Sequence, residues 1–220
     1  MIEEFNIILA GVGGQGTLLA SNILGTAAIM AGLNVRGSEA LGMSQRGGAV
    51  VGHLRIGSAV YGPLVPDGKG DVLVGFEPSE TLRNVAYLSK DGLIIVNTRP
   101  IVPHMVSIGL SVYPSTDEIL GKLRQYARVV AFNATELAEK AGGAITVNTV
   151  MIGALSGSGR LPIKSEIILK AIGLCVPKAT IKINRAAFKL GYKKAQEILR
   201  SWKRKQQASP SRREKRQQEL

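Results

Sequence analysis

The densest group of reactive side chains lies in the glycine-rich segment Ser38–Gly48. Its sequence, SEALGMSQRGG, places Glu39, Ser44, Gln45 and Arg46 among three glycines. An arginine guanidinium can form paired hydrogen bonds with a carboxylate or a phosphate, and serine and glutamine supply further polar groups. The segment therefore predicts a loop that presents polar groups to a ligand. Subunit packing, with glycines that let a partner backbone approach closely, is an equal alternative.

A second glycine-rich segment precedes this one and consists of Gly11, Val12, Gly13, Gly14, Gln15 and Gly16. It lies between an apolar run and a helical pattern that begins near Thr17. The spacing fits G-x-G-x-x-G, in which backbone N–H groups at a helix N-terminus can approach an anion. Contact with an anion or a partner is one interpretation of this glycine turn. Tight strand-to-helix packing without a ligand is the other.

Dinucleotide binding is weakly supported by the same motif. A nucleotide-binding domain of this type has an acidic residue about 20 positions further on, which holds the ribose. Here residues 31–36 carry no carboxylate, and Glu39 is the first one to follow. Arg36 could meet the additional phosphate of NADP, although a single arginine there is more often solvated. A self-contained nucleotide-binding reductase therefore stays an alternative.

The sequence contains no other recognisable catalytic or metal-binding set. Its single cysteine, Cys175, can supply neither an internal disulfide nor the four thiolates of a typical iron–sulfur cluster, and it lies in an apolar run. The two histidines, His53 and His104, have no carboxylate or cysteine at metal-ligand spacing. We expect structural roles for all three residues and no metal site.

The elements that must position these segments indicate an open, Rossmann-like α/β fold. Short apolar runs separated by helical patterns are typical of buried parallel strands. These runs are residues 5–10, 71–76, 93–97 and 128–132. We predict a mostly parallel sheet with flanking helices, extended by an antiparallel hairpin whose turn is Gly57-Ser58.

Helix signals accompany these strands. Ser115 and Glu118 form a capping-box pattern for a helix through about Ala127. Further helices are predicted at residues 78–88 and 134–140. A last helix is expected from about Ala186.

Charge divides the chain into a folded part, residues 1–192, and a basic helix end with a disordered tail, residues 193–220. The second part has ten Lys and Arg against three Glu, and so carries +7 of the formal net charge of +12. Its composition predicts a solvated end. Contact with an acidic protein is an alternative, whereas the composition does not favour nucleic-acid binding, because no aromatic residue except Trp202 is interleaved.

A membrane segment is not expected. Residues 6–35 are uncharged, but glycines and polar residues interrupt them, whereas a spanning helix needs about 20 consecutive apolar residues. Glu3 and Glu4 are also unlike the positively charged start of a secretory signal, so we expect a cytoplasmic protein.

The two glycine segments resemble the small subunit of indolepyruvate ferredoxin oxidoreductase, the counterpart of the gamma domain in the 2-oxoacid:ferredoxin oxidoreductase family. Four further segments resemble this family in the same order, namely Pro63–Pro66, Asp71–Pro78, Ile95–Pro100 and Asn148–Ala154. The resemblance spans about residues 5–192, and it implies a closing strand at residues 181–184. Its most discriminating part is Met43–Gly48, which favours arylpyruvates over pyruvate or 2-oxoglutarate as substrates. A gamma subunit for another 2-oxoacid is the alternative.

The resemblance implies a composite enzyme. Thiamine diphosphate, magnesium and iron–sulfur clusters would lie on a large alpha subunit, coenzyme A would be the co-substrate, and ferredoxin would accept the electrons. This chain would bind none of these cofactors by itself and would be inactive alone. Arg46, alone or with Ser44 and Gln45, would contact a substrate carboxylate or a coenzyme A phosphate, and Glu39 would position a neighbouring group or cap the loop.

Overall fold

The computed structural model describes residues 2–42 and 47–208. They build one six-stranded sheet with helices on both faces. The strands are β1 (Phe5–Val12), β2 (Asn34–Leu41), β3 (Ala49–Gly57), β4 (Gly70–Gly75), β5 (Leu88–Asn97) and β6 (Arg128–Phe132). The helices are α1 (Thr17–Met30), α2 (Pro78–Arg83), α3 (His104–Ser107), α4 (Thr116–Tyr126), α5 (Ala134–Ala141), α6 (Val147–Gly157), α7 (Ser165–Cys175) and α8 (Ile181–Ala208).

The sheet order is β2-β3-β1-β4-β5-β6, and four of the strands run parallel. Strand β3 is antiparallel to both of its neighbours, β1 and β2. In the register of the sheet, Ile8 of β1 lies between His53 of β3 and Leu73 of β4. The predicted α/β class, the mostly parallel sheet and the antiparallel addition are confirmed.

The predicted position of the hairpin turn is wrong. The hairpin joins β2 to β3 through residues 42–48, so the partner of β3 precedes it in the chain. Gly57 ends β3, and the backbone N–H groups of Ser58 and Ala59 then donate to the carbonyls of Ile2 and Glu3. Residues 38–41 consequently belong to β2, which makes the polar loop shorter than its sequence suggested.

Each face of the sheet has its own hydrophobic core. Helices α1, α5, α6, α7 and α8 cover one face, where Ile7, Leu9 and Phe76 are buried. Helices α2 and α4 cover the other face, where Ile8 and Leu73 are buried. Because successive residues of a strand point to opposite faces, strands buried on both sides are apolar almost throughout. The uninterrupted apolar runs of β1 and β4 follow from this arrangement.

After β1 and after β4, the chain turns towards opposite faces of the sheet. After β1 it forms α1 on the first face, and after β4 it forms α2 on the second. Strands β1 and β4 are adjacent and parallel, so the chain turns towards opposite faces at neighbouring carboxyl ends. In open α/β sheets, this topological switch point is the usual place for a ligand. The glycine turn after β1 lies there.

Two helix predictions are confirmed, one helix is shorter than predicted, and one predicted strand is helical. Ser115 and Glu118 form the predicted capping box of α4, and the helix at residues 134–140 is present as α5. The helix predicted for residues 78–88 ends at Arg83, because Asn84 leads into a 3-10 turn and Leu88 already begins β5. The predicted strand at residues 181–184 is the first turn of α8.

Close contact between α6 and α8 depends on glycine. An added Cβ at Gly153 would lie 2.1 Å from the carbonyl oxygen of Phe188, and one at Gly191 would lie 1.9 Å from that of Val150. The helix that begins at Ile181 is thus held along α6 before it runs past residue 192 to Ala208. Within the described ranges, no helix is both long and apolar enough to cross a membrane.

Candidate functional site at the carboxyl edge of the sheet

Gln15 fixes the glycine turn to the end of β4. Its Oε1 accepts the backbone N–H of Val12 at 2.9 Å, and its Nε2 donates to the carbonyl oxygen of Phe76 at 2.8 Å. The residue is 9% exposed. Since both ends of the amide are engaged within the chain, Gln15 shapes the turn and does not present its amide to a ligand.

Two glycines of this turn are required by close packing. A Cβ on Gly11 would lie 2.8 Å from Oε1 of Gln15 and 2.9 Å from Cβ of Phe76. Gly16 has φ +76°, which disfavours other residues, and its added Cβ would lie 2.8 Å from Nδ2 of Asn148. Tight packing therefore explains Gly11 and Gly16 without a ligand. Gly14 differs, because its φ is +99° and no atom lies within 4 Å of an added Cβ.

The backbone joins the glycine turn directly to the polar loop. Gly13 donates its N–H to the carbonyl of Gly48 at 2.8 Å and accepts the N–H of Gly47 at 3.4 Å. The two glycine-rich segments that the sequence singled out thus meet at one edge of the sheet. Ser44, Gln45 and Arg46 lie outside the described residues, so their contacts stay a prediction.

Glu39 lies apart from the glycine turn. It is exposed on the edge strand β2, opposite Gly52 of β3. Together with Ser21, Thr26 and other residues, it lines a groove between α1 and β2. The structure therefore places Glu39 in the strand that leads into the polar loop.

Asn97 was not recognised from the sequence as a site residue, although it completes the same edge. Its Nδ2 donates to the carbonyl of Phe76 at 3.1 Å, so this carbonyl accepts from both Gln15 and Asn97. Its Oδ1 accepts the N–H of Ala134 at 2.9 Å, at the start of α5. Asn97 is fully buried and ties the ends of β4, β5 and β6 together. A lone asparagine at the end of a buried strand was the available signal.

Glu77 was also missed and is 1% exposed. It caps α2, because its Oε2 accepts the N–H of Glu80 at 2.9 Å and Pro78 occupies the first turn. Its Oε1 accepts the N–H of Ile101 at 3.4 Å and the hydroxyl of Tyr113. A carboxylate directly between a buried strand and a proline was the signal in the sequence.

Burial and neighbouring carboxylates raise the pKa values of two groups around Glu77, Tyr113 and Glu80. The pKa of the Tyr113 phenol is raised, first by burial and then by its hydrogen bond to Glu77, so the phenol remains a donor over the ordinary pH range. The pKa of Glu80 is raised by burial and by Glu77, while an ion pair of 2.8 Å with Arg83 opposes the shift. This end of β4 therefore concentrates acidic groups.

Of the three residues expected to be structural, His53 and Cys175 are packed within the chain, whereas His104 is exposed. Nδ1 of His53 accepts the N–H of Val65 at 3.2 Å, the ring packs edge-on against Tyr87, and burial lowers the pKa of the imidazole. Cys175 is partly buried, with its Sγ 3.5 Å from Oγ1 of Thr26. His104 begins the short helix α3. In the part of the chain that the structure describes, no three His, Cys, Asp or Glu residues are grouped as metal ligands.

The sheet order bears on dinucleotide binding. In a nucleotide-binding Rossmann domain, the strand that follows the first helix lies beside β1 and carries the ribose-binding acid. Here β3 lies between β1 and β2. Arg36 and Glu39, both on β2, are consequently one strand further from the glycine turn than that arrangement requires.

The opposite edge of the sheet is basic. A cavity of about 350 Å³ there lies between the start of β6, the end of α6 and the last turns of α8. Four cations, Arg128, Arg160, Arg200 and Lys203, line it together with Trp202. Arg160 donates to the carbonyl of Asp91 at 3.0 Å. The molecule therefore has a basic amino edge and a glycine-rich carboxyl edge.

A doubly wound α/β domain with a glycine turn at its switch point defines the class of this protein. Residues 6–194 match the family described as pyruvate ferredoxin/flavodoxin oxidoreductase, and the chain belongs to that family. It is 48% identical over 200 residues to the indolepyruvate oxidoreductase subunit IorB of Thermococcus kodakarensis, which covers 90% of this chain and 99% of that protein.

Two further similarities are more distant. The chain is 32% identical over 165 residues to the pyruvate/ketoisovalerate oxidoreductases common subunit gamma of Pyrococcus abyssi, which covers 74% of this chain and 81% of that protein. A crystal structure of a keto/oxoacid ferredoxin oxidoreductase gamma subunit from Geobacter sulfurreducens aligns with a TM-score of 0.64 and 28% identity. That alignment covers 87% of this chain and 98% of the other. The predicted family resemblance is confirmed.

Proposed function

We propose that this chain is the small subunit of a ferredoxin-linked oxidoreductase that oxidatively decarboxylates arylpyruvates of the indolepyruvate type to aryl-acetyl-CoA. The observation that carries the proposal is the 48% identity, over nearly its whole length, to an indolepyruvate oxidoreductase subunit. Identity to a gamma subunit of pyruvate/ketoisovalerate enzymes is lower, at 32%. This difference supports an arylpyruvate substrate over a small 2-oxoacid.

The cofactors of such an enzyme do not fit this chain. One cysteine cannot supply the four thiolates of a typical iron–sulfur cluster, and no grouped metal ligands occur among the described residues. The chain also lacks a Gly-Asp-Gly motif with downstream asparagines of the kind that holds thiamine diphosphate through magnesium. We therefore assign thiamine diphosphate, magnesium and the clusters to a larger alpha subunit, with ferredoxin as the electron acceptor. The isolated small subunit would then be inactive.

In this proposal the carboxyl edge completes an active site in the large subunit. Gln15, Asn97 and Glu77 are engaged inside the chain, so they hold the edge in shape rather than bind substrate. The polar loop remains as the contact segment, and Gly47 and Gly48 fasten its end to the glycine turn. Arg46 precedes these glycines in the sequence. Its guanidinium would bind a substrate carboxylate or a coenzyme A phosphate.

The test is reconstitution of the two-subunit enzyme. The large subunit from the same source, co-expressed with this chain, should reduce ferredoxin in the presence of indolepyruvate and coenzyme A, whereas either subunit alone should not. Phenylpyruvate should support turnover better than pyruvate or 2-oxoglutarate. Efficient use of pyruvate with no turnover of arylpyruvates would instead favour a gamma subunit for small 2-oxoacids.

The role of Arg46 needs a matched variant. Arg46→Ala should lower kcat/KM for indolepyruvate or raise the KM for coenzyme A, because it removes charged hydrogen bonds to an anion. Arg36→Ala removes an exposed arginine of β2 and serves as the control. Unchanged kinetic constants in the assembled Arg46→Ala enzyme would contradict the contact and leave subunit packing as the role of the loop.

A further inference from the structure

An exposed apolar segment crosses the carboxyl edge between β5 and α4. We call residues 101–112 the strap. Between Pro100 and Ser115 the sequence has no Asp, Glu, Lys or Arg, and His104 is its one titratable residue besides Tyr113. Six large apolar side chains of the strap are exposed, from 37% to 88%, namely Ile101, Val102, Met105, Ile108, Leu110 and Val112. A contiguous exposed apolar surface of this kind is typical of a site that binds another molecule.

Glu77 fastens the strap at both of its ends. The N–H of Ile101, at the first residue of the strap, donates to Oε1 of Glu77. The hydroxyl of Tyr113, one residue after the strap, donates to the same oxygen. The carboxylate is almost completely buried and also caps α2. The strap is therefore a closed loop pinned at its base, which lowers the entropy that ordering it would cost on binding.

The strap lies at the switch point itself. Glu77 directly follows Phe76, whose carbonyl accepts from Gln15 of the glycine turn. The base of the strap and the turn are thus linked through two consecutive residues of the chain. A protein that covers the strap would also reach the glycine turn and the end of the polar loop.

The chain's own C-terminal segment is a poor cover for the strap. The last turns of α8 line the basic cavity at the opposite edge of the sheet, beside Arg128. Residues 209–220, which continue from there, contain four Lys and Arg, two Glu and a single large apolar residue, Leu220. If such a segment covered the strap, it would bury too little apolar surface to offset the conformational entropy that it loses on ordering.

We propose that the strap is the docking element for the larger subunit, held ready by Glu77 and Tyr113, and that its occupant is an uncharged, apolar surface of that subunit. The proposal rests on the proposed function. A second copy of this chain is a weaker occupant, because it would bring another glycine turn and no grouped metal ligands among its described residues. Such a copy would supply none of the cofactor sites that the proposed function requires. Apolar contact at the centre of an interface, with charged residues kept away, is the usual composition of stable assemblies.

The experiment compares carboxylates placed on and off the strap. Leu110→Glu and Val112→Glu alter side chains that are 69% and 88% exposed, so the folded chain should tolerate both. Leu174→Glu, on α7, changes a leucine that is 71% exposed and is the matched control. Affinity for the purified large subunit is measured by titration calorimetry. We expect at least a tenfold loss for each strap variant, since an unpaired carboxylate would be buried, and less than a twofold change for the control.

A second pair of variants tests the hydrogen bond between Tyr113 and Glu77 at the base of the strap. Tyr113→Phe removes one hydrogen bond to Glu77 and keeps the ring, whereas Tyr126→Phe changes an exposed tyrosine at the end of α4. Amide hydrogen exchange of the peptide that covers residues 101–112 should accelerate several-fold in the free Tyr113→Phe chain and stay unchanged in Tyr126→Phe. Docking should weaken only for Tyr113→Phe.

Three results would overturn the inference, and they are distinguishable. Wild-type affinity in both strap variants would remove the strap from the interface while the two-subunit enzyme stands. Self-association of the isolated chain that Leu110→Glu abolishes, measured by light scattering, would assign the strap to a second copy. Failure of the wild-type chain to bind the large subunit at all would instead refute the proposed function, and the inference with it.

Discussion

The hydroxyl of Tyr113 donates a hydrogen bond to the buried carboxylate of Glu77, although 36 residues separate them in the sequence. Glu77 caps α2, and Tyr113 precedes α4, so this contact joins the two helices that cover one face of the sheet. The same carboxylate accepts the N–H of Ile101. One acidic residue therefore fixes a helix start, the base of the strap and the approach to α4.

Glu77→Ala should destabilise the chain by about 2–3 kcal/mol, because it removes a helix cap and leaves buried donors without their acceptor. Asn133→Ala, which removes the cap of α5 at a less buried position, should cost about 1 kcal/mol. Urea unfolding followed by circular dichroism compares the two. Equal losses would mean that the contacts to Ile101 and Tyr113 contribute nothing beyond the cap.

Gly11→Ala should destabilise the chain by about 1–3 kcal/mol, because the new Cβ would meet Gln15 and Phe76 at less than 3 Å. Gly121→Ala is the control. Gly121 lies inside α4, and its added Cβ has open space, so alanine should stabilise the helix by roughly 0.5–1 kcal/mol. Thermal unfolding of both variants shows whether each substitution raises or lowers the stability of the chain. A stabilised Gly11→Ala variant would contradict the packing account of the glycine turn.

Gly153→Ala should be more damaging, by about 3 kcal/mol or more, because the added Cβ would overlap backbone atoms of Phe188 that no side-chain movement can relieve. The helices α6 and α8 would have to separate. Gly25→Ala, in α1, has its nearest atom at 3.9 Å and should be tolerated. Yield and unfolding midpoint measure the difference. A Gly153→Ala variant as stable as the wild-type chain would show that α6 and α8 can shift apart more readily than their close contact indicates.

Asp71→Asn should stabilise the chain at neutral pH. Burial raises the pKa of the Asp71 carboxyl, although the N–H of Asn6 donates to it at 2.7 Å and opposes the shift. The stability that this carboxyl contributes is present below its unfolded pKa, near 3.8, and is lost as the pH rises through the raised folded pKa. The variant has no such loss. Its free energy of unfolding should therefore exceed that of the wild-type chain by a margin that grows from about pH 4 upward and then levels off.

The measurement for Asp71→Asn is the free energy of unfolding in urea between pH 4 and pH 8. Asp67→Asn removes an exposed carboxyl close by and corrects for the general effect of lowering the acidic charge. An advantage of Asp71→Asn over this control that stays constant with pH would contradict the predicted linkage.

Local patterns in the sequence were sufficient for much of the fold. The apolar runs predicted the four parallel strands, since strands buried on both faces need apolar residues at nearly every position. The capping box at Ser115 and Glu118 was equally local and was confirmed. The turn at Gly57-Ser58 was wrong because hairpin pairing depends on which strand is adjacent, and the partner β2 precedes β3.

The sequence by itself determined the α/β class, the family and the two glycine segments, because each depends on residues that are neighbours along the chain. Only the tertiary structure decided which polar residues are engaged internally. Gln15 and Asn97 donate to the same carbonyl of Phe76, and Tyr113 donates to Glu77 across 36 positions. Such contacts exist because parallel strands bring their carboxyl ends to one edge, which no local spacing encodes.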